Sequence, residues 1–214
     1  MSNNSNKLPK FLLNKYNRWR SGGFKKNLNH LKKLAYLGQS PSTMIISCCD
    51  SRVNATSVFE AEEGDFFIHR NIANLVPPYS STDQNYGTSS AIEYGVKELK
   101  VKHIIILGHT DCGGIKSGHM QHSKNLDKNY DFIDKWLNLL LPAFNNILKD
   151  APEQKQIELL HEESIKISIS NLISFPFVSK AIEDKNLSVH GLVYNIGSGE
   201  LKFLNAANNK FELV

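Results

Sequence analysis

The sequence lacks any long apolar run. Nowhere in its 214 residues does an apolar stretch approach the ~18 residues that a membrane-spanning helix needs. The N-terminus also has no apolar segment of the kind found in signal peptides. Hydrophobic residues make up 41% of the chain and charged residues 21%, a composition typical of a soluble globular protein. We therefore expect a protein without a membrane partner, built on one domain with a sizeable core.

Cysteine is scarce, with three residues in the whole chain. Two of them, Cys48 and Cys49, are adjacent, and the third is Cys112. Such a set makes a poor disulfide framework, and it is more typical of reduced thiols in a cytoplasmic protein. Adjacent cysteines also suit a thiol-redox enzyme badly, so we consider that function the weakest alternative.

Acidic residues are absent from positions 1–40, which contain nine lysines and arginines. The other 174 residues contain 16 basic and 21 acidic side chains and so have a net charge of −5. A basic segment can bind nucleic acid, an anionic membrane or an acidic partner, or it can simply be a solvated helix face. We favour a helical arm that packs on a second copy of the chain, giving a homodimer or a larger homo-oligomer and no nucleic-acid partner.

Hydrophobic periodicity predicts an α/β fold: a helical arm at 1–40 and one catalytic domain at 41–214. The domain is expected to contain a mostly parallel central sheet flanked by helices and ending in an antiparallel strand. The individual elements are two amphipathic helices within 9–37, strands at 43–47, 66–69 and 104–108, a crossover helix at 88–99, helices at 130–149 and 153–172, and a hairpin of 189–196 with 201–205.

Two groups of reactive side chains follow two of these predicted strands. Cys48-Cys49-Asp50-Ser51-Arg52 comes after the first strand, and His109-Thr110-Asp111-Cys112 begins where the third ends. The carboxyl ends of parallel strands lie at one edge of a sheet, so the two groups should meet. Two thiols and an imidazole suit Zn²⁺, and three protein ligands leave one position for water, as in catalytic zinc sites. Asp50 and Arg52, at alternate positions, should form an ion pair. The alternative is that Cys48 and Cys112 are buried small hydrophobic residues.

Further motifs accompany these two groups between residues 39 and 114. They are Gln39-Ser40-Pro41, Arg70-Asn71-Ile72-Ala73-Asn74, Pro77-Pro78-Tyr79 and Ile92-Glu93-Tyr94, with a later echo at Ser174-Phe175-Pro176-Phe177-Val178. Together with Cys48-x-Asp50-Ser51-Arg52 and His109-x-x-Cys112-Gly113-Gly114, this set resembles the β-class carbonic anhydrases, and most closely their plant-like branch.

The resemblance implies a carbonate dehydratase, which is a zinc lyase. It would hydrate carbon dioxide reversibly to bicarbonate and a proton, by attack of zinc-bound hydroxide, and it would be a homo-oligomer, with a tetramer favoured. The resemblance implies that Cys48, His109 and Cys112 bind one Zn²⁺ per chain and that Cys49 is not a ligand. Asp50 and Arg52 would form a catalytic dyad. The residues around the substrate would be Gln39, Phe67, Tyr94 and Gly113, some of them from a neighbouring subunit.

The sequence departs at two positions from the family that it resembles. Glu98 takes the place of a histidine that some plant members use as a proton shuttle, and Ile45 replaces a tryptophan that helps one branch bind a regulatory bicarbonate. Since Ile45 offers no N–H to an anion, we expect no bicarbonate switch, and we expect Arg70 to bond carbonyl groups near the zinc loop. His119 and His122, in a polar segment, are expected to face solvent.

Two other functions are compatible with the same motifs. One keeps the fold and the zinc but hydrolyses carbonyl sulfide or carbon disulfide. The other is a non-catalytic, zinc-stabilised binding protein in which the basic arm is the working surface. A binding protein has no need of the Asp50–Arg52 pair, so the effect of removing Asp50 distinguishes it from an enzyme.

Overall fold

The computed structural model describes residues 8–80, 86–124, 130–147 and 149–214. The chain forms two compact units, Met1–Ser40 and Pro41–Val214. The boundary between the units coincides with the change from an acid-free to a net acidic composition.

The first unit consists of helices. They are α1 (Lys10–Ser21), α2 (Gly23–Lys26) and α3 (Leu28–Leu37). Two helices were predicted within residues 9–37, and the structure contains the short helix α2 in addition. None of these helices has a buried residue, and Phe11 and Trp19 are 62% and 48% exposed. The arm therefore presents aromatic side chains that nothing within the described chain covers fully.

The second unit contains a six-stranded sheet. Its strands are β1 (Thr43–Cys48), β2 (Phe66–Asn71), β3 (His103–His109), β4 (Ser188–Tyr194), β5 (Leu201–Asn205) and β6 (Lys210–Leu213). The strand order is β2-β1-β3-β4-β5-β6, parallel from β2 to β4 and antiparallel beyond. The predicted α/β architecture and the hairpin of β4 with β5 are confirmed, and β6 is an additional strand.

Within the described ranges, the helices of the second unit lie between β1 and β4. They are α4 (Ala55–Val58), α5 (Tyr86–Glu93), α6 (Gly113–Lys124), α7 (Ile133–Leu137), α8 (Leu141–Asn146), α9 (Glu153–Ile173) and α10 (Pro176–Glu183). Among the described residues no single helix is long and apolar enough to cross a membrane. The helices α9 and α10, bent by 88° where they meet, have the length and composition of a membrane span only when they are taken together.

Two predicted helices are interrupted in the structure. The crossover helix predicted at 88–99 is α5 followed by a π-helical turn, Tyr94–Glu98. The helix predicted at 130–149 is divided into α7, a 3₁₀ turn at Asn138–Leu140, and α8; residue 148 lies outside the described residues. Pro142 explains the second interruption, because proline has no N–H to donate and fits best in a helix's first turn.

Both faces of the central strands β1 and β3 are largely buried, as expected of parallel strands. Met44 and Ile106 belong to the core on the face that α9 covers, whereas Ile45 and Leu107 belong to the core on the opposite face. Glycine allows α9 to approach closely, because a Cβ on Gly108 would lie 2.8 Å from Ile165 Cδ1. This packing fixes β3, and with it the polar residues at its carboxyl end.

Candidate metal centre

Three potential metal ligands converge at the carboxyl edge of the sheet. Cys48 is the last residue of β1, His109 is the last residue of β3, and Cys112 lies on the loop that follows. The two strands are adjacent and parallel, so their ends lie side by side. The ligand atoms of all three residues are within 4.8 Å of one another, and all three residues are buried. The structure thus brings together the two groups that the sequence separates by about sixty residues.

The geometry of this cluster fits zinc. The two sulfur atoms are 3.7 Å apart, and a tetrahedral Zn²⁺ with bonds of ~2.3 Å to sulfur requires a separation of about 3.8 Å. The Nδ1 atom of His109 lies 2.8 Å from the Thr110 carbonyl, to which it can donate, and this leaves the lone pair on Nε2. That Nε2 is buried and has no hydrogen-bond partner within the described residues. The unpaired nitrogen and the sulfur spacing together fit a bound metal ion.

The two buried thiols lie within hydrogen-bond distance of each other. Their hydrogen bond lowers the pKa of Cys48 below that of a free thiol, against the opposing effect of burial. The same hydrogen bond, followed by burial, raises the pKa of Cys112 well above that of a free thiol. A divalent cation that displaces the proton of this hydrogen bond stabilises both thiolates, so metal binding releases a proton.

Asp50 and Arg52 form the expected ion pair. Arg52 donates from Nε to Asp50 Oδ1 at 2.9 Å and from Nη2 to Oδ2 at 2.7 Å. A third bond, from the Arg52 backbone N–H to Oδ1, is 3.0 Å long. These hydrogen bonds hold the pKa of Asp50 well below its usual range. The Asp50 Oδ2 atom lies 3.9 Å from His109 Nε2, so an ionised carboxylate borders the cluster.

Arg70 holds the loop that carries these residues. Its guanidinium donates to the carbonyls of Cys48, Asp50 and Val53 at 2.9, 2.8 and 2.9 Å. The expected structural role of Arg70 is therefore confirmed. Because the three carbonyls lie at the end of β1 and in the loop that follows, Arg70 fixes the backbone that carries both a ligand and the carboxylate.

Asp111 is a supporting residue that sequence reasoning missed. Its backbone has a positive φ of 57°, in the left-handed region that non-glycine residues seldom adopt. Its carbonyl accepts a bond of 3.1 Å from Arg52 Nη2, and its carboxylate accepts one of 2.8 Å from Lys116. The loop after β3 is thus tied to the Asp50–Arg52 pair. The available signal was its place between His109 and Cys112.

The four predicted substrate residues lie in different places. Gly113 is the first residue of α6, where an added Cβ would meet nothing within 4 Å. Phe67 of β2 and Tyr94 have ring centroids 5.8 Å apart. Neither ring makes a hydrogen bond or ring contact with the three ligand residues in the part of the chain that the structure describes. Gln39 is an exposed residue of the first unit, after α3.

The expectation that His119 and His122 face solvent is wrong. His119 is 2% exposed, and its Nε2 lies 2.9 Å from Gln156 Oε1. His122 Nε2 lies 3.1 Å from the Leu137 carbonyl, to which it can donate, and both imidazoles contact the Phe144 ring. His119 is covered and His122 is half-buried because α6 packs among later helices that the local sequence does not reveal.

Most of this chain is similar in sequence to carbonic anhydrases. The carbonic anhydrase family model matches residues 43–201. β carbonic anhydrase 3 of Arabidopsis thaliana is 32% identical over 184 residues, covering 85% of this chain and 70% of that protein. A structure from a study of two tetrameric β-carbonic anhydrases of the ascomycete Sordaria macrospora has a TM-score of 0.77 and 32% identity, covering 92% of this chain and 96% of that one. The β-carbonic anhydrase CcaA has a TM-score of 0.84 and 26% identity, with 96% and 91% covered. The matched segment contains all three ligand residues.

Proposed function

The chain belongs to the β-carbonic anhydrase family of zinc lyases, and we propose that it hydrates carbon dioxide reversibly to bicarbonate and a proton. The observation that carries this proposal is the buried convergence of Cys48, His109 and Cys112 beside an ionised Asp50. Stopped-flow hydration of carbon dioxide, measured beside hydrolysis of carbonyl sulfide, tests the substrate. Hydrolysis of carbonyl sulfide without hydration of carbon dioxide would contradict the proposal.

Zinc, when bound, acts as a Lewis acid that makes a water molecule more acidic, less strongly here than in three-histidine sites because two thiolates cancel its formal charge. Asp50 accepts a hydrogen bond from the attacking oxygen atom. Arg52 keeps this carboxylate ionised and fixed in orientation, so it acts only as an acceptor. The attacking lone pair is thereby directed towards carbon dioxide.

The substrate pocket is proposed to include residues of two subunits. Carbon dioxide is linear and uncharged, so the Phe67 ring makes a suitable wall. Among the described residues, neither the Phe67 ring nor the Tyr94 ring makes a hydrogen bond or ring contact with the metal ligands of its own chain, so we assign both rings to the pocket of a neighbouring copy. The amide of Gln39 would donate to the substrate oxygen on which negative charge develops. At the start of α6, Gly113 leaves open space for the substrate.

Activity is expected to rise from mildly acidic to alkaline pH. Two thiolate ligands weaken the acidification of water, so the nucleophile forms at higher pH than in three-histidine sites. Asp50 does not contribute to this rise, because its lowered pKa keeps it ionised throughout the range. The turnover number measured against pH, in a buffer that can carry protons, provides the check. A flat profile would contradict this explanation.

Removal of residues 1–37 is expected to reduce the oligomer to a smaller species. The arm has exposed aromatic residues and no acidic side chain, whereas the rest of the chain has a net charge of −5, so we propose that the arm packs on a second copy. Light scattering after size-exclusion chromatography measures the mass, and a chain lacking only residues 1–7 is the control. An unchanged oligomer without the arm would refute this assignment.

We also propose a cytoplasmic location, where the free thiols of Cys48 and Cys112 stay reduced.

A further inference from the structure

Two histidines outside the zinc centre lie side by side on the central sheet. His103 is the first residue of β3, and His190 belongs to the neighbouring parallel strand β4. In the register of the two strands, His190 pairs with Ile105, two residues after His103. Paired residues share a face of a sheet, and so do residues two apart on one strand, so both imidazoles lie on the same face. The proposed reaction uses neither of them.

The two rings are spaced as a pair of metal ligands would be. His103 Nδ1 lies 3.2 Å from His190 Nε2, and the ring centroids are 5.3 Å apart. Metal–nitrogen bonds of about 2.0–2.1 Å place two nitrogens about 2.9 Å apart at a right angle and about 3.3 Å apart at a tetrahedral angle. The observed separation falls between these values. Binding of one ion by both nitrogens therefore requires a rotation of the two exposed rings rather than a movement of the strands.

Both imidazoles are available to a ligand. Their contact with each other is the one hydrogen bond that either ring makes among the described residues. Partial burial, followed by the charge of His103, lowers the pKa of His190, so its ring is neutral near pH 7 and keeps a lone pair. When an ion replaces the hydrogen bond, the donating ring changes tautomer and its N–H moves to the outer nitrogen. Water can accept that N–H because both side chains are exposed.

The strands hold the pair in place before any ion binds. The Ser188 N–H donates to the Lys102 carbonyl at 2.9 Å, and the Lys102 N–H donates to the Ser42 carbonyl at 2.7 Å. These bonds tie the start of β3 to β4 on one side and to the residue before β1 on the other. A pre-organised pair loses little conformational freedom on binding, since the rotation of the side chains is the main motion that is restricted.

We propose that His103 and His190 form a second metal site, a two-imidazole chelate for a late transition-metal dication such as Ni²⁺ or Cu²⁺. Imidazole suits these ions, and the affinity of a nitrogen site rises along the first row as far as Cu²⁺. Mg²⁺ and Ca²⁺ prefer oxygen ligands and fit the pair poorly. Water fills the remaining coordination positions, because the one group of three or more closely spaced ligands in the described ranges is the zinc centre.

The pair is separate from the zinc centre. The zinc ligand His109 ends the strand that His103 begins, so the two sites are about 20 Å apart at about 3.3 Å per residue. An ion held by the pair links β3 to β4 at the opposite edge of the sheet from the proposed reaction. Because it binds the folded sheet, it also stabilises the folded chain.

Ni²⁺ binding to the zinc-loaded, full-length protein tests this inference. Equilibrium dialysis followed by plasma mass spectrometry counts both metals in the same sample. We expect saturable uptake of one Ni²⁺ per chain while the zinc content stays unchanged, and an excess of Mg²⁺ should not displace the Ni²⁺. No saturable uptake, or nickel that enters only as zinc leaves, would overturn the proposal.

Variants assign the ion to the pair. His103→Gln and His190→Gln should each weaken Ni²⁺ binding at least about tenfold, since loss of even an outer partner of a metal ligand costs about 10–100-fold. Changing both should weaken it little further, because one imidazole alone no longer chelates. His30→Gln, in α3 of the first unit, makes the same chemical change and should bind Ni²⁺ normally.

Circular dichroism checks the fold of each variant, and if one of the two does not fold, the other decides. A loss of less than about tenfold in a folded variant would show that the ion does not need both rings, and the assignment would be refuted.

Discussion

Asp50→Asn is expected to keep nearly full zinc content and to lose about a hundredfold or more of its turnover number for carbon dioxide hydration. Asp50 is not one of the three converging ligands, and its nearer oxygen lies 3.9 Å from His109 Nε2. An asparagine of the same shape places an N–H donor where one carboxylate oxygen accepted. It also removes the charge that pairs with Arg52. Orientation of the attacking oxygen would therefore be lost while the metal remains.

The control for this change is Asp184→Asn, an exposed aspartate at the end of α10. It should leave both zinc content and turnover as they are in the unchanged protein. Zinc content is measured by plasma mass spectrometry on the same samples that are used for kinetics. Near-normal turnover of Asp50→Asn at full zinc content would remove Asp50 from the mechanism and favour a zinc-stabilised binding protein.

Cys48→Ser is expected to lose most of the bound zinc and the activity with it, whereas Cys49→Ser should keep both. The two cysteines are neighbours in sequence, but their environments differ. Cys48 is buried with its sulfur 3.7 Å from that of Cys112, and Cys49 is exposed. A serine at position 48 replaces a thiolate with a weakly acidic hydroxyl that binds zinc poorly.

Zinc per chain, measured after gel filtration, checks this pair of variants. Circular dichroism of each variant distinguishes loss of metal from loss of fold. Each cysteine variant is the control for the other, since the chemical change is identical and the positions are adjacent. Full zinc in Cys48→Ser, with loss in Cys49→Ser, would overturn the ligand assignment.

Most of the sheet could be predicted because most of its strands are short runs of apolar residues in the sequence. Thr43–Cys48 is buried along its whole length, and the run of apolar residues within it predicts a buried strand. Lys210–Leu213 was missed, because it is short, is largely polar or exposed, and pairs only at the outer edge of the sheet. The helix predicted at 130–149 is interrupted near Pro142, which the spacing of apolar residues alone does not reveal.

The metal cluster could be predicted because its ligands follow the carboxyl ends of parallel strands, which lie at one edge of the sheet. The resemblance then identified Cys48, and not Cys49, as the ligand. The burial of His119 could not be predicted, since it depends on Phe144 and Gln156, which reach it through tertiary packing. The supporting role of Asp111 depends on a positive φ that nothing in its residue type required. The assignment of Phe67 needs a second subunit and stays a prediction.

The most direct test of the account is the rate of carbon dioxide hydration measured while zinc is removed and restored. The account predicts that the rate falls in proportion to zinc content as a chelator extracts the metal. It predicts that the rate returns when Zn²⁺ is added back to one ion per chain. A protein that holds one Zn²⁺ through Cys48, His109 and Cys112 and yet does not hydrate carbon dioxide at alkaline pH would contradict it.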